Sequence, residues 1–220
     1  LLQNDPVMNR TSIPALLLSS TLLTAGLLGV SLSAQAAAAA ATAEVPAAKP
    51  VAAVQDALIA VMKQGKKLSY QARYEKLDPV VASSFDFPFI ARLVLGPAWD
   101  KLDADQRQKF ADSLQRLSTS SYAKEFDAYS GQSFKPAGNQ SQGGVVVVRY
   151  VFEQPHDRPI RFDYQVHKAA DGQWKIANVV VDGVSDLALK RGQYRKLYAE
   201  KGFSGLIGWI DRQVKDNAGA

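Results

Sequence analysis

The segment FDFPFIARLVLGPAWDKLDADQRQKFADSLQRLSTSSYAKEFDAYSGQSF, Phe85 to Phe134, decides how the rest of the chain is read. Asp86 stands where an N-cap belongs, with Pro88 near the first turn, so a helix is expected through Ile90, Leu93 and Val94 to Leu95. Gly96-Pro97 stops it, and Trp99 follows in the turn. Asp103 with Gln106 three residues on has the form of a capping box, with Gln in place of Glu. From there Phe110, Leu114, Leu117, Tyr122, Phe126 and Tyr129 keep to one broad helical stripe, which predicts a long helix closed by Gly131. The segment carries no evident catalytic group.

Beyond Gly131 the apolar period changes from 3.6 to 2. Phe134 belongs to a short edge strand, and Val145 to Phe152 is dense enough in β-branched residues to predict a strand buried on both faces. After a turn at Pro155 to Pro159, Phe162, Tyr164 and Val166 alternate with Arg161, Asp163, Gln165 and His167. Asp171-Gly172 turns the chain into a strand from Trp174 to Val181, which includes Ile176. Asp182 to Ser185 leads to a last helical pair. Leu187, Arg191, Tyr194 and Tyr198 lie on one stripe of its first member, Gly202 stops it, and Phe203 to Lys215 forms the second. Upstream, Val54, Leu58, Val61 and Met62 define a helix over 51–64, and 69–82 continues as a helix bent near Pro79. The fold class is therefore α+β: a curved antiparallel sheet of about four strands, half covered by helices.

Met8-Asn9-Arg10, the apolar run from Ala15 to Val30 and the small-x-small triplet Ala34-Gln35-Ala36 form the pattern of a secretory signal, so cleavage near Ala36 is expected. The seven residues before Met8 read as upstream sequence. An uncleaved anchor is the poorer alternative, because serines, threonines and glycines interrupt the run. Residues 37–50, rich in Ala and Pro, read as a disordered linker, and 51–217 as the folded domain.

The chain has no Cys, which excludes disulfides, thiolate metal sites and cysteine nucleophiles. Its two histidines, His156 and His167, have no metal-ligand spacing and no companion nucleophile in a known elbow. The sequence therefore reads as that of a non-enzyme with no metal and no cofactor. The net charge of +5 fits a solubilising surface or an attraction to anionic head groups. Nucleic acid is excluded as a partner, since the basic residues accompany no recognition motif.

Several of these stretches together resemble the MlaC family of periplasmic phospholipid carriers, from about Ala52 to Val214. They are Phe85-Asp86, Leu95-Gly96-Pro97-Ala98-Trp99, Asp105-Gln106-Arg107 with Phe110, Tyr122-Ala123, and Asp182-Gly183-Val184-Ser185 with Arg191. Tyr129-Ser130-Gly131 is more similar to the branch associated with hopanoid gene clusters, HpnM. Asn178 departs from the pattern, standing where many members carry an acidic residue. The resemblance implies an NTF2-like sheet with a helical subdomain, from which the helices stand off to leave an apolar cavity for acyl chains. It further implies a soluble periplasmic carrier of phospholipid, or alternatively of hopanoid. The partners it implies are an inner-membrane ABC transporter with its periplasmic substrate-binding ring and an outer-membrane lipoprotein complex.

Residues expected to line such a cavity are Leu93, Val94, Trp99, Phe110, Leu114, Phe126, Phe162, Tyr164, Val166, Ile176 and Tyr194, together with Arg191. The same side chains would equally build a solid core. Arg191, on an apolar stripe, needs a partner, either a lipid head-group oxygen or an internal carboxylate such as Asp182. An open dry pocket of roughly 500 Å³, at about 24 cal/mol per Å³, would cost on the order of 12 kcal/mol, as much as a domain's whole stability. An empty carrier should therefore contract, wet or retain lipid.

Overall fold

A computed structural model describes residues 45–219. The expected export signal and most of the expected linker lie outside the described residues. The end of that linker is not disordered. Pro46–Ala48 forms a 3₁₀ turn that meets the middle strands of the sheet, and Ala47 is 0% exposed. A methyl side chain is small enough to let the backbone approach the sheet this closely, which an alanine-rich composition read as linker does not reveal.

Helix α1, Lys49–Gln64, follows directly and buries Val51, Val54, Leu58, Val61 and Met62. Helix α2, Tyr70–Ser84, starts at Ser69, whose side chain accepts from the Ala72 N–H, and contains Pro79 without interruption. Helix α3, Phe87–Leu95, is capped by Asp86, which accepts from the Phe89 N–H. A 3₁₀ stretch, Gly96–Lys101, leads to α4, Ala104–Glu125, whose capping box between Asp103 and Gln106 is complete. Helix α4 ends at Glu125 rather than continuing to Gly131. Phe126 is its C-cap, and Tyr129, expected on the helical stripe, stands beyond the helix and is exposed.

Five strands, rather than four, form one antiparallel sheet in chain order. They are β1 Ser133–Gln142, β2 Val145–Gln154, β3 Asp157–Lys168, β4 Trp174–Val181 and the two-residue β5 Val184–Ser185. The edge strand β1 is ten residues long and bulged between Pro136 and Asn139. Strand β2 is not buried on both faces: Val148 and Phe152 are buried, and Val145, Val146, Val147 and Val151 are half-buried. The helical layer lies over β4, and among the described residues nothing comparable covers the opposite face. On that opposite face, Arg149 pairs with Asp163 at 3.9 Å and donates to Gln140 at 2.9 Å, while Arg161 stands 3.6 Å from Asp163.

Helix α5, Asp186–Ala218, is capped by Ser185 and is kinked at Gly202, where the backbone takes φ +65°. It is the expected helical pair, joined across one left-handed residue that a side chain would strain. Its first half runs past the end of α3. There Arg195 donates to the carbonyls of Val94 (2.8 Å) and Leu93 (3.2 Å). Gly96 has φ +58°, and a Cβ at that position would come within 2.4 Å of the Arg195 guanidinium. The positive φ favours glycine there, and its missing side chain leaves room for the guanidinium.

Candidate functional site: a cleft between helix α1 and the sheet

Strand register puts Phe134, Pro136, Tyr150, Phe152, Phe162 and Tyr164 on the inner face of the sheet. Helix α1 presents two stripes to that face. The large apolar stripe packs into the core. The second stripe is Ala52, Gln55, Asp56, Ile59, Ala60 and Lys63, in which only the two alanines are small. The result is a cleft of about 530 Å³ between this stripe and Phe134, Pro136 and Tyr150, closed at one side by Tyr129, Gln132 and Ser133.

The cleft grades from dry to wet. Asp56, Ala60, Lys63 and Tyr129 are exposed at its mouth, and the Lys63 ammonium lies 5.5 Å from the centre of the Tyr129 ring. Gln55 is its buried polar group, 4% exposed, and its Nε2 makes no hydrogen bond among the described residues. The Tyr164 hydroxyl lies beside that amide. Burial pushes its pKa well above the usual range, so it remains protonated.

Behind the cleft the aromatic rings continue inward. Phe134 packs on Phe152 (4.7 Å between centroids) and Phe162 (5.8 Å), and Phe152 meets Phe126 (6.0 Å) at the end of α4. Such offset and edge-on pairs add to simple burial.

The residues expected from sequence to line a cavity fall into two groups, and none of the twelve borders the cleft. Val94, Phe110, Leu114, Tyr164, Val166, Ile176 and Tyr194 are buried in the closed core. Leu93, Trp99, Phe126, Phe162 and Arg191 are half-buried. Trp99 lies under the Arg107 guanidinium at 5.6 Å, and Phe126 and Phe162 belong to the aromatic cluster behind the cleft. Arg191 has neither of its expected partners: its Nε donates to the Leu93 carbonyl at 3.1 Å. Asp182 is taken instead by Arg158, at 2.8 Å. A helix end with unsatisfied carbonyls competes well for a guanidinium, and pattern reading along one helix does not show which neighbouring helix ends beside it.

Of the cleft residues, the sequence reading singled out Phe134 and Tyr129, each for another reason. The available signal was the second stripe of α1, where Ala52 and Ala60 stand among polar residues at helical spacing. The two histidines lie elsewhere. His156 is in the β2–β3 turn, while His167 stacks on Phe89 at 4.2 Å. The His167 Nε2 stands 3.1 Å from Asp86 Oδ2, at ion-pair distance but without hydrogen-bond alignment. No helix among the described residues is long and apolar enough to cross a membrane.

One sheet, a helical layer over one of its faces and an open cleft of mixed polarity between the two define an α+β fold. The chain belongs to the MlaC family, whose model matches residues 52–211. Among solved structures, it is similar to the phospholipid-binding protein from Ralstonia solanacearum, determined in complex with a phospholipid. The TM-score is 0.68 at 21% sequence identity, over 78% of this chain and 98% of that one.

Proposed function

We propose that this protein is a periplasmic lipid carrier that holds the acyl chains of a phospholipid in the cleft between α1 and the sheet. The observation that carries the reading is the cleft itself, of a size suited to a small-molecule ligand, with Ile59, Phe134, Pro136 and Tyr150 among its walls and both Asp56 and Lys63 at its mouth. Family membership supports it, as does the phospholipid held by the Ralstonia solanacearum protein of the same fold. Phe126 and Phe162 stand behind the cleft, where they would form its deeper wall. Each methylene transferred from water to such a site contributes about 0.8 kcal/mol, so a slot that shields most of one chain competes with a bilayer. The role is one of binding rather than chemistry. Export through the Met8 to Ala36 signal, and passage of lipid between an inner-membrane ABC transporter and an outer-membrane lipoprotein complex, complete the proposal. A hopanoid cargo, in keeping with the HpnM-like stretch, is the second reading. It rests on the flat walls that Tyr129, Phe134 and Tyr150 give the cleft.

Native mass spectrometry of the purified protein, followed by lipid extraction, tests the reading. Phospholipid should be retained, and Ala60→Trp, which fills the cleft from an exposed position on α1, should abolish most of that retention while thermal melting changes little. Val94→Trp should behave in the opposite way. Val94 is 0% exposed, and overpacking a tight core costs about 1–3 kcal/mol, so it should lose stability first. Protein that carries no lipid in any preparation would refute the carrier reading, and hopanoid enriched over phospholipid would establish the second one.

A further inference from the structure

On helix α5, charged side chains pair at four-residue spacing, as Asp186 does with Lys190 and Glu200 with Lys196. Two charges at the mouth of the cleft on α1 lack such partners. Asp56 has Ala52 and Ala60 four residues to either side, with Ala53 and Ile59 three away. Lys63 has Ile59 and Lys67 at four, with Ala60 and Lys66 at three. Among the described residues neither makes a hydrogen bond or an ion pair, and the Lys63 ammonium has only the Tyr129 ring, 5.5 Å away. One unpaired surface charge is ordinary. Here two of opposite sign stand on one stripe, both exposed and both lining the same cleft. Seven residues separate them, two helical turns and therefore about 10 Å along the axis. Side chains of a helix tilt toward its N-terminus, which leans the long Lys63 stem back toward Asp56. The mouth is therefore a dipole, and Ile59, Phe134, Pro136 and Tyr150 lie inside it.

We propose that this mouth selects zwitterionic glycerophospholipids such as phosphatidylethanolamine, the head-group phosphate facing Lys63 and the ammonium facing Asp56. The inference rests on the lipid-binding reading above and deepens it by naming the head-group class. The head group lies along the rim of α1, so the cleft itself is left to hydrocarbon. Phosphatidylglycerol offers the same phosphate to Lys63 but has no cation for Asp56, and its net negative charge meets that carboxylate as a like charge. Selectivity thus comes from an attraction and a repulsion together. Both pairs are exposed to solvent, which keeps the preference modest.

Phosphatidylethanolamine and phosphatidylglycerol with identical palmitoyl and oleoyl chains test it, offered in equimolar mixed vesicles to the delipidated full chain at low ionic strength. Wild-type protein should retain phosphatidylethanolamine about two- to fivefold over phosphatidylglycerol. The ratio should fall toward one at about 1 M salt, where exposed charges are screened. Asp56→Asn should lose the preference and Asp56→Lys should invert it. Lys63→Gln should lower retention of both lipids and leave phosphatidylethanolamine ahead. Thermal melting should be the same for all three variants, since both positions are exposed. Equal retention of the two lipids by the wild type, or a preference unchanged in both Asp56 variants, overturns the inference and leaves lipid binding standing. Displacement of bound lipid by an equal concentration of glycerophosphoethanolamine would mark a site for the free head group and overturn it too. Retention of neither lipid by the wild type removes the lipid-binding reading and this inference with it.

Discussion

Arg73, Arg191 and Arg195 each place a guanidinium against main-chain carbonyls at a helix end. Arg73, 9% exposed, donates to the Ala123 carbonyl in the last turn of α4 at 2.7 Å and to Leu68 at 2.8 Å. Arg191 and Arg195 do the same for α3. A cation at the negative end of a helix also meets the favourable sign of its macrodipole. These residues account for buried or half-buried positive charge without a ligand. Asp182 is the anionic counterpart. It holds φ +48°, accepts from the Arg161 N–H at 2.8 Å through one oxygen and pairs with Arg158 through the other. Burial by itself would raise its pKa, but the Arg161 N–H and the Arg158 guanidinium together outweigh that effect and hold the carboxyl below its usual range. A depressed pKa contributes stability that is present above the unfolded value of 3.8 and is lost as pH falls through the folded value. Asp182→Asn keeps a side chain that tolerates positive φ while removing the charge. Urea titrations should therefore show the variant less stable than the wild type at pH 7, with the gap narrowing steadily below pH 4. A gap that does not change with pH would assign the effect to shape instead.

At the scale of elements, α1 is the piece that leaves a cleft in an otherwise packed protein. One of its stripes buries Val51, Val54, Leu58 and Val61, and the adjacent one, which includes Ala52 and Ala60, borders the cleft. The same helix is held in place by the 3₁₀ turn before it, where Ala47 meets the sheet with no exposed surface. Ala47→Phe should therefore cost about 1–3 kcal/mol by chemical denaturation, as overpacking does in a close-packed interior. The same substitution in a disordered linker would change nothing measurable. The strands were legible from their alternation, as the pairing of Tyr164 with Val148 and Val179 bears out. The end of α4 was not. The stripe from Phe110 through Phe126 continues in phase to Tyr129, but Phe126 turns out of helical geometry to join the cluster with Phe152, and the chain beyond it runs into β1. Tertiary aromatic packing there overrides a local period.

For the molecule as a whole, the cleft modifies the cost expected of a dry cavity. Its mouth is lined by exposed Asp56, Ala60 and Lys63, so the space is open to solvent and the cavity penalty applies only to its deep end. Binding to the folded state alone should then raise Tm. At a free lipid concentration one hundred times Kd the stabilisation is about 2.7 kcal/mol, which for a chain of this size is roughly 5–10 °C. Differential scanning calorimetry of delipidated protein, before and after adding back phospholipid, measures it, and an unchanged Tm would count against a cleft that takes lipid into the fold. By itself, the sequence determined the α+β class, the helix caps at Asp86 and Asp103, the stop at Gly96, the break at Gly202 and the hairpin pattern. All of these depend on residues within a few positions of one another, where period, capping geometry and glycine's access to positive φ act locally. Only the tertiary structure decided which apolar residues close the core and which leave a cleft. Val94, Leu114 and Tyr164 are as hydrophobic as any wall of a lipid site, but they are matched by partners on facing elements, whereas Ala52 and Ala60 face Pro136 and Tyr150 across unfilled space. Whether a side chain is filled against or left open depends on the distance between α1 and the inner face of β1 and β2. That distance is set by everything else packed beneath the helix.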